Sequence, residues 1–186
     1  MELSKNGDDL ERFLVAEFLG RREERAFREI YRRHAPSLNR VIMRLVGGWN
    51  GDAEDVEQTT WIRAIERLDG FRWESSLRTW LTGIAVNCAR ECLRRQRRDL
   101  RVETEDQVAA PPPRKIHREI HPIDLERAIG GLPERCREVL ILHDVEGYTH
   151  AEIGRLLGIE SGTSKSQLSR ARSAVRESLR DNNGEM

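Results

Sequence analysis

Residues 148–172, YTHAEIGRLLGIESGTSKSQLSRAR, read as two short helices joined by a tight glycine turn. Thr149 followed by Glu152 is a capping box, in which a hydroxyl and a carboxylate satisfy backbone N–H groups at a helix start. Ile153, Leu156 and Leu157 give that helix one apolar face. Gly158 supplies the residue that tolerates a left-handed backbone at the helix end, and Ser161 is placed to cap the next helix. There Leu168, Ala171, Val175 and Leu179 share one stripe, while Lys165, Ser166, Ser169 and Arg170 project from roughly the opposite side. A helix buried on one side, with short polar and cationic side chains on the other, suits a DNA major groove. The competing reading is a helical hairpin with a solvated face.

Composition points the same way. The chain has 186 residues, of which 34% are charged and only 5% aromatic, with no long β-branched runs. An all-α protein is expected. The longest aliphatic stretch, Val139 to Leu142, falls far short of the roughly 20 residues of a membrane helix, and MELSKNGDD is unlike a signal peptide. Three cysteines do not suggest a secreted disulfide scaffold. A cytoplasmic protein without membrane insertion is expected. Formal net charge is zero, yet the charges are segregated. Arg90, Arg94, Arg95, Arg97, Arg98 and Arg101 crowd one segment, and Asp52, Glu54, Asp55 and Glu57 another, as if for two partners of opposite sign.

The pattern divides the chain into a helical unit over residues 9–98, a linker over 99–122 and a second helical unit over 123–180. The first should hold a segment from Asp9 to Leu19, a helix from Glu24 to Val46 bent at Pro36, and a helix capped by Asp52. A further helix from Ser75 to Arg98 should bury Leu77, Leu81, Ile84, Ala85, Cys88 and Cys92. Pro111, Pro112 and Pro113 favour an extended linker. Pro133 suits the first turn of a helix carrying Val139, Leu140 and Leu142.

Two blocks make the pattern specific. DAEDVEQTTWIRAIERLDGF with SSLRTWLTGIAVNCARECLRRQRR, then LPERCREVLILHDVEGYTHAEIGRLLGI with SGTSKSQLSRAR, resemble the two domains of bacterial sigma factors of the extracytoplasmic-function type. That resemblance implies region 2 and region 4 domains joined by an extended linker. It also implies a non-catalytic subunit without cofactors that binds core RNA polymerase, directs it to promoters and promotes melting. A free chain is then expected to be monomeric and to pair with an anti-sigma factor.

Residue roles follow by the same resemblance. Asp52, Asp55, Gln58, Thr59 and Arg63 match the core-polymerase-binding helix, where carboxylates and an amide can pair with a basic or polar partner. Phe71, Arg72 and Trp73 match the loop that captures an unstacked −10 base, by stacking on a ring or guanidinium plane; core packing is the competing role for both aromatics. Trp80 is expected in the core or at its edge. Asn87, Arg90, Arg94 and Arg97 recur opposite the apolar stripe and suit phosphates and base edges of −10 DNA. Lys165, Ser166, Ser169 and Arg170 align with −35 contacts, and Arg172 with a phosphate contact. Ser164 stands where an aliphatic residue is usual, so burial would require a hydrogen bond, expected to the preceding turn. Gln167 replaces a usual basic residue, and Ser169 an often larger ring, so no promoter sequence transfers from a relative.

The same residues allow rival readings. Cys88 with Cys92, and His117 with His121, stand four apart, but core cysteines and solvated histidines explain both pairs better than zinc. A free-standing helix-turn-helix regulator would leave the acidic and basic helices of the first unit without a shared purpose. A helical adaptor does not explain the patterned second helix. A carboxylate-metal phosphohydrolase at Asp52 to Glu57 lacks nearby histidines.

Overall fold

The capping box closes as the spacing predicts. In the computed structural model, which describes residues 2–47, 51–103 and 122–181, the Thr149 side chain accepts from the Glu152 N–H while Glu152 accepts from the Thr149 N–H at 2.8 Å. Every regular element among the described residues is helical: α1 (Glu2–Arg21), α2 (Glu24–Val46), α3 (Gly51–Arg67), α4 (Leu77–Glu103), α5 (Pro122–Gly130), α6 (Glu134–Leu140), α7 (His150–Leu157) and α8 (Ser161–Asp181). A 3₁₀ turn, Leu68–Gly70, follows α3, and a π turn, Ile141–Val145, follows α6. Among these residues no helix is long and apolar enough to cross a membrane.

In the first unit, α2, α3 and α4 bury their apolar stripes against one another. Leu38, Val41 and Ile42 of α2 meet Trp61 and Ala64 of α3 and Leu77, Leu81, Ile84 and Ala85 of α4, all buried. Cys88 and Cys92 join this core, as small apolar-like residues do. Aromatic rings tie in α1: Phe18 lies 5.3 Å from Phe27, which meets Trp61 edge-on at 5.8 Å. α2 continues as one helix through Pro36, although the ring removes a backbone donor. α4 runs past Arg98 to Glu103, because residues 99–103 contain neither glycine nor proline to stop it. Residues 104–121 of the expected linker, with Pro111, Pro112, Pro113, His117 and His121, lie outside the described residues, and Pro122 already opens α5.

In the second unit Pro133 stands at the N-cap of α6, one place before the first helical residue. Ser161 is the first residue of α8 rather than its cap, since the Ser164 N–H already bonds the Glu160 carbonyl at 3.0 Å. Between α7 and α8 the chain turns on Gly158, with φ at 65°, and the Ile159 N–H closes on the Gly154 carbonyl at 3.0 Å. A Cβ on Gly154 would sit 2.7 Å from the Ile159 carbonyl oxygen, which no side-chain movement can relieve. Gly154→Ala should therefore cost the second unit about 1–3 kcal/mol. Gly162→Ala, with open space around it, should be neutral or slightly stabilising. Urea unfolding of the two variants checks this, and equal stabilities would show that the turn is not tight.

The two units are docked on each other. Glu146, 8% exposed, accepts from Arg78 at 2.6 Å and from Ser37 at 2.7 Å. Thr82 and Tyr148 hydroxyls bond at 2.9 Å, and Arg137 donates to the Leu45 carbonyl at 2.8 Å. Gly83 of α4 leaves room for Leu156 of α7. At the centre Arg90 and Glu138 form two bonds, at 2.5 and 2.8 Å.

Candidate polymerase and nucleic-acid interfaces

The residues matched to polymerase binding converge. Asp52, Asp55, Gln58, Thr59 and Arg63 line one cleft between α3 and α4, with Cys88, Glu91, Cys92 and Arg95 across it. α3 places its acidic residues in the first turn, where they also complement the helix dipole. Asp55 and Gln58 are exposed, and Asp52 and Thr59 half-buried. Arg63 does not point freely outward: it grips Glu91 with two bonds, at 2.9 and 2.6 Å, and approaches the Cys88 sulfur at 3.5 Å. The Glu91 carboxylate raises the guanidinium pKa further, and Arg63 in turn lowers that of Glu91. Arg63 thus braces α3 on α4, leaving Asp55 and Gln58 as the accessible polar groups.

The loop before α4 is a half-buried aromatic cluster. Phe71 stacks on Trp80 at 4.9 Å and tilts against Trp73 at 4.8 Å. Both roles weighed for Phe71 and Trp73 meet here, since each packs against the core yet keeps some exposure. Trp73 has φ at 58°, an uncommon conformation for a bulky residue. The Arg12 guanidinium lies over its ring at 4.6 Å, a cation–π contact that helps hold it. Arg72 is exposed.

The basic stripe is split. Asn87 and Arg94 are exposed, while the Arg97 side chain lies outside the described residues. Arg90 differs from the expectation: it is 8% exposed and faces Glu138 of the second unit. In this docked arrangement it cannot touch DNA. The physical reason lies in α6. Glu138 shares a helical face with Ile141 and Leu142, is 1% exposed, and needs a cation. Glu138 and Glu146 are buried carboxylates between the two units that the sequence pattern conceals. The available signal was a carboxylate in register with a buried aliphatic run.

On α8, Lys165, Ser166, Ser169, Arg170 and Arg172 are exposed and Leu168 is buried. Ser166 Oγ bonds back to the Gly162 carbonyl at 3.0 Å. Arg172 holds Asp144 with two bonds, at 2.9 and 2.6 Å, so part of its donor set is already engaged. Ser164 is fully buried, as its position implied, but its partner is His150 Nδ1 at 2.9 Å, on α7 rather than in the preceding turn. Among the described residues no group of three or more His, Cys, Asp or Glu side chains converges as a metal site.

Comparison with known proteins now places this geometry. Sigma-70 region 2 matches residues 30–99 and Sigma-70 region 4 matches residues 123–175. The ECF RNA polymerase sigma factor SigE of Mycolicibacterium smegmatis is 32% identical over 163 residues, covering 84% of this chain and 63% of SigE. SigM of Mycobacterium tuberculosis is 31% identical over 150 residues, covering 81% of this chain and 75% of SigM. The sigma-E factor of Escherichia coli is 30% identical over 176 residues, covering 87% and 91%. Among solved structures, the sigma factor RpoE in complex with the anti-sigma factor NepR from Bartonella quintana superposes with a TM-score of 0.69 at 25% identity, covering 83% of this chain and 96% of RpoE. CnrH in complex with the cytosolic domain of CnrY gives 0.67 at 27%, covering 91% and 97%. The two helical units, in this order, define a sigma-70-type protein. The chain belongs to the extracytoplasmic-function family of RNA polymerase sigma factors.

Proposed function

We infer that this chain works as an alternative sigma factor in the cytoplasm, binding core RNA polymerase, directing it to promoters and helping to open them. It contributes binding surfaces and no catalytic group. The observation that carries the reading is the ordered pair of region 2 and region 4 matches. Residues 9–98 form the polymerase and −10 unit, 99–122 the connection and 123–180 the −35 unit. Asp55 and Gln58, with Asp52 and Thr59 beside them, meet the polymerase, and Arg63 positions their helix. Phe71, Arg72 and Trp73 receive an unstacked base, while Asn87, Arg94 and Arg97 follow the −10 strand. Lys165, Ser166, Ser169 and Arg170 read the −35 duplex and Arg172 steadies its backbone.

The docked form is the resting state of a monomer, and the working state requires the units to separate so that Arg90 reaches DNA. An anti-sigma factor is the natural partner of the resting state, since two similar structures are complexes, one with an anti-sigma factor and one with a cytosolic domain.

A charge reversal tests the polymerase surface. Asp55→Arg combined with Gln58→Ala should weaken binding to core enzyme by at least tenfold, as desolvated charge contacts of this kind contribute about 1.5 kcal/mol or more. Both residues are exposed, so helicity and unfolding midpoint should hold. Unaltered core affinity in the folded double variant would move the interface elsewhere.

A further inference from the structure

Beside the recognition helix lies a cluster that the assignments above do not use. His143 and His150 stack with ring centroids 4.5 Å apart. His143 Nδ1 lies 2.8 Å from Asp144, and His150 Nδ1 lies 2.9 Å from Ser164 at the foot of α8. Lys165 and Arg172 of α8 and Asp144 of the π turn are the charged groups that act on His150 from its neighbours. Of these, Lys165 and Arg172 are among the residues assigned to DNA. The paired rings, both half-buried, therefore sit at the edge of the surface that enters the groove. In a helix-turn-helix the first helix crosses the phosphate backbone while the second enters the groove.

We propose that His150, held by His143 stacked on it and by Ser164, forms a proton-linked contact to the phosphodiester backbone of the −35 duplex, so that DNA binding takes up a proton. This rests on the −35 reading given above. In the free protein, burial and then the neighbours His143, Lys165 and Arg172 lower the pKa of His150, with Asp144 opposing them. Arg172 and then His143 in turn hold Asp144 ionised. A histidine whose pKa is depressed on folding destabilises the fold as pH drops through the unfolded value, near 6.5. A phosphate brought to the cluster shifts that balance toward the charged ring, because Asp144 is already engaged by Arg172 and His143 and a second anion favours the protonated form. His143, stacked on His150 at 4.5 Å, fixes the orientation of the ring that takes up the proton.

The test uses the full chain with core polymerase and a promoter recovered from a randomised library. Closed-complex affinity is measured from pH 8 to pH 6 at fixed ionic strength. Wild type should bind more tightly as pH falls, with a slope approaching tenfold per pH unit over the titrating interval. The His143→Gln, His150→Gln double variant should lose that slope; glutamine at 150 can keep a bond to Ser164. His150→Lys should also be insensitive to pH but should bind more tightly than His150→Gln at pH 8. A slope that persists in the glutamine variant, a reversed slope, or equal affinity of the Lys and Gln variants overturns the contact. A wild-type holoenzyme that binds no promoter at any pH overturns the −35 reading and this inference together.

Discussion

Arg90→Ala should drive the two units apart. Removing one partner of a buried ion pair leaves the other charge unsolvated, at about 3–5 kcal/mol. Glu138 is 1% exposed, and among the described residues a second cation, Arg135, lies 3.5 Å from it. Other contacts across the interface join Glu146 to Arg78 and Ser37, Thr82 to Tyr148, and Leu156 to Gly83. Undocking is therefore the easier response, because it returns Glu138 to solvent without unfolding either unit. The closed population should fall by on the order of a hundredfold or more, read as a longer distance between a label on α3 and one on α8. Glu138→Ala should open the chain equally. The two variants should part in function: Glu138→Ala frees an intact Arg90 and should raise transcription from a duplex promoter, whereas Arg90→Ala should lower it. An unchanged distance distribution in both variants would show that the pair is not what holds the units together.

Lys165→Ala or Arg170→Ala should reduce use of promoters that depend on the −35 element by about ten- to a hundredfold, since a bidentate cation–guanine pair contributes roughly 1–3 kcal/mol of discrimination. Each loss should relax preference at a single base pair. Polymerase binding should persist, because α3 lies in the other unit. Leu168→Ala behaves differently. Leu168 is 4% exposed in the core under α8, so its truncation should cost about 2–5 kcal/mol of stability and abolish −35 use through unfolding. Transcription of a randomised −35 library by the Lys165 and Arg170 variants separates the cases: a uniform loss with no shift in base preference would mean that these residues grip the backbone.

Local physics was legible where one segment decides its own structure. The capping box at Thr149, the left-handed Gly158 and the apolar stripes of α4 and α8 depend on residues within a few turns, and the structure reproduces them. The polymerase cleft was legible as a set of residues but not as a network, because Glu91, which binds Arg63, stands 28 positions away. The docking of the two units was not legible. Arg90 looks like its neighbours Arg94 and Arg97 in any periodicity, and only the fold brings Glu138, 48 positions on, against it. Glu146 is similar: one carboxylate serves Arg78 and Ser37 from two different helices. The Ser164 partner eluded local reasoning too, since α7 supplies it across the turn.

The central claim is that this chain gives core polymerase a promoter specificity it does not have alone. The most direct measurement is transcription by purified core polymerase plus this chain on a library with randomised −35 and −10 segments. Paired elements at a fixed spacing should be enriched, with overall activity reduced by changes at Asp55 and Gln58 and the upstream element lost on changes at Lys165 and Arg170. No binding to core enzyme, together with tight dimeric binding to an isolated duplex, would contradict it and make the chain a free-standing helix-turn-helix regulator.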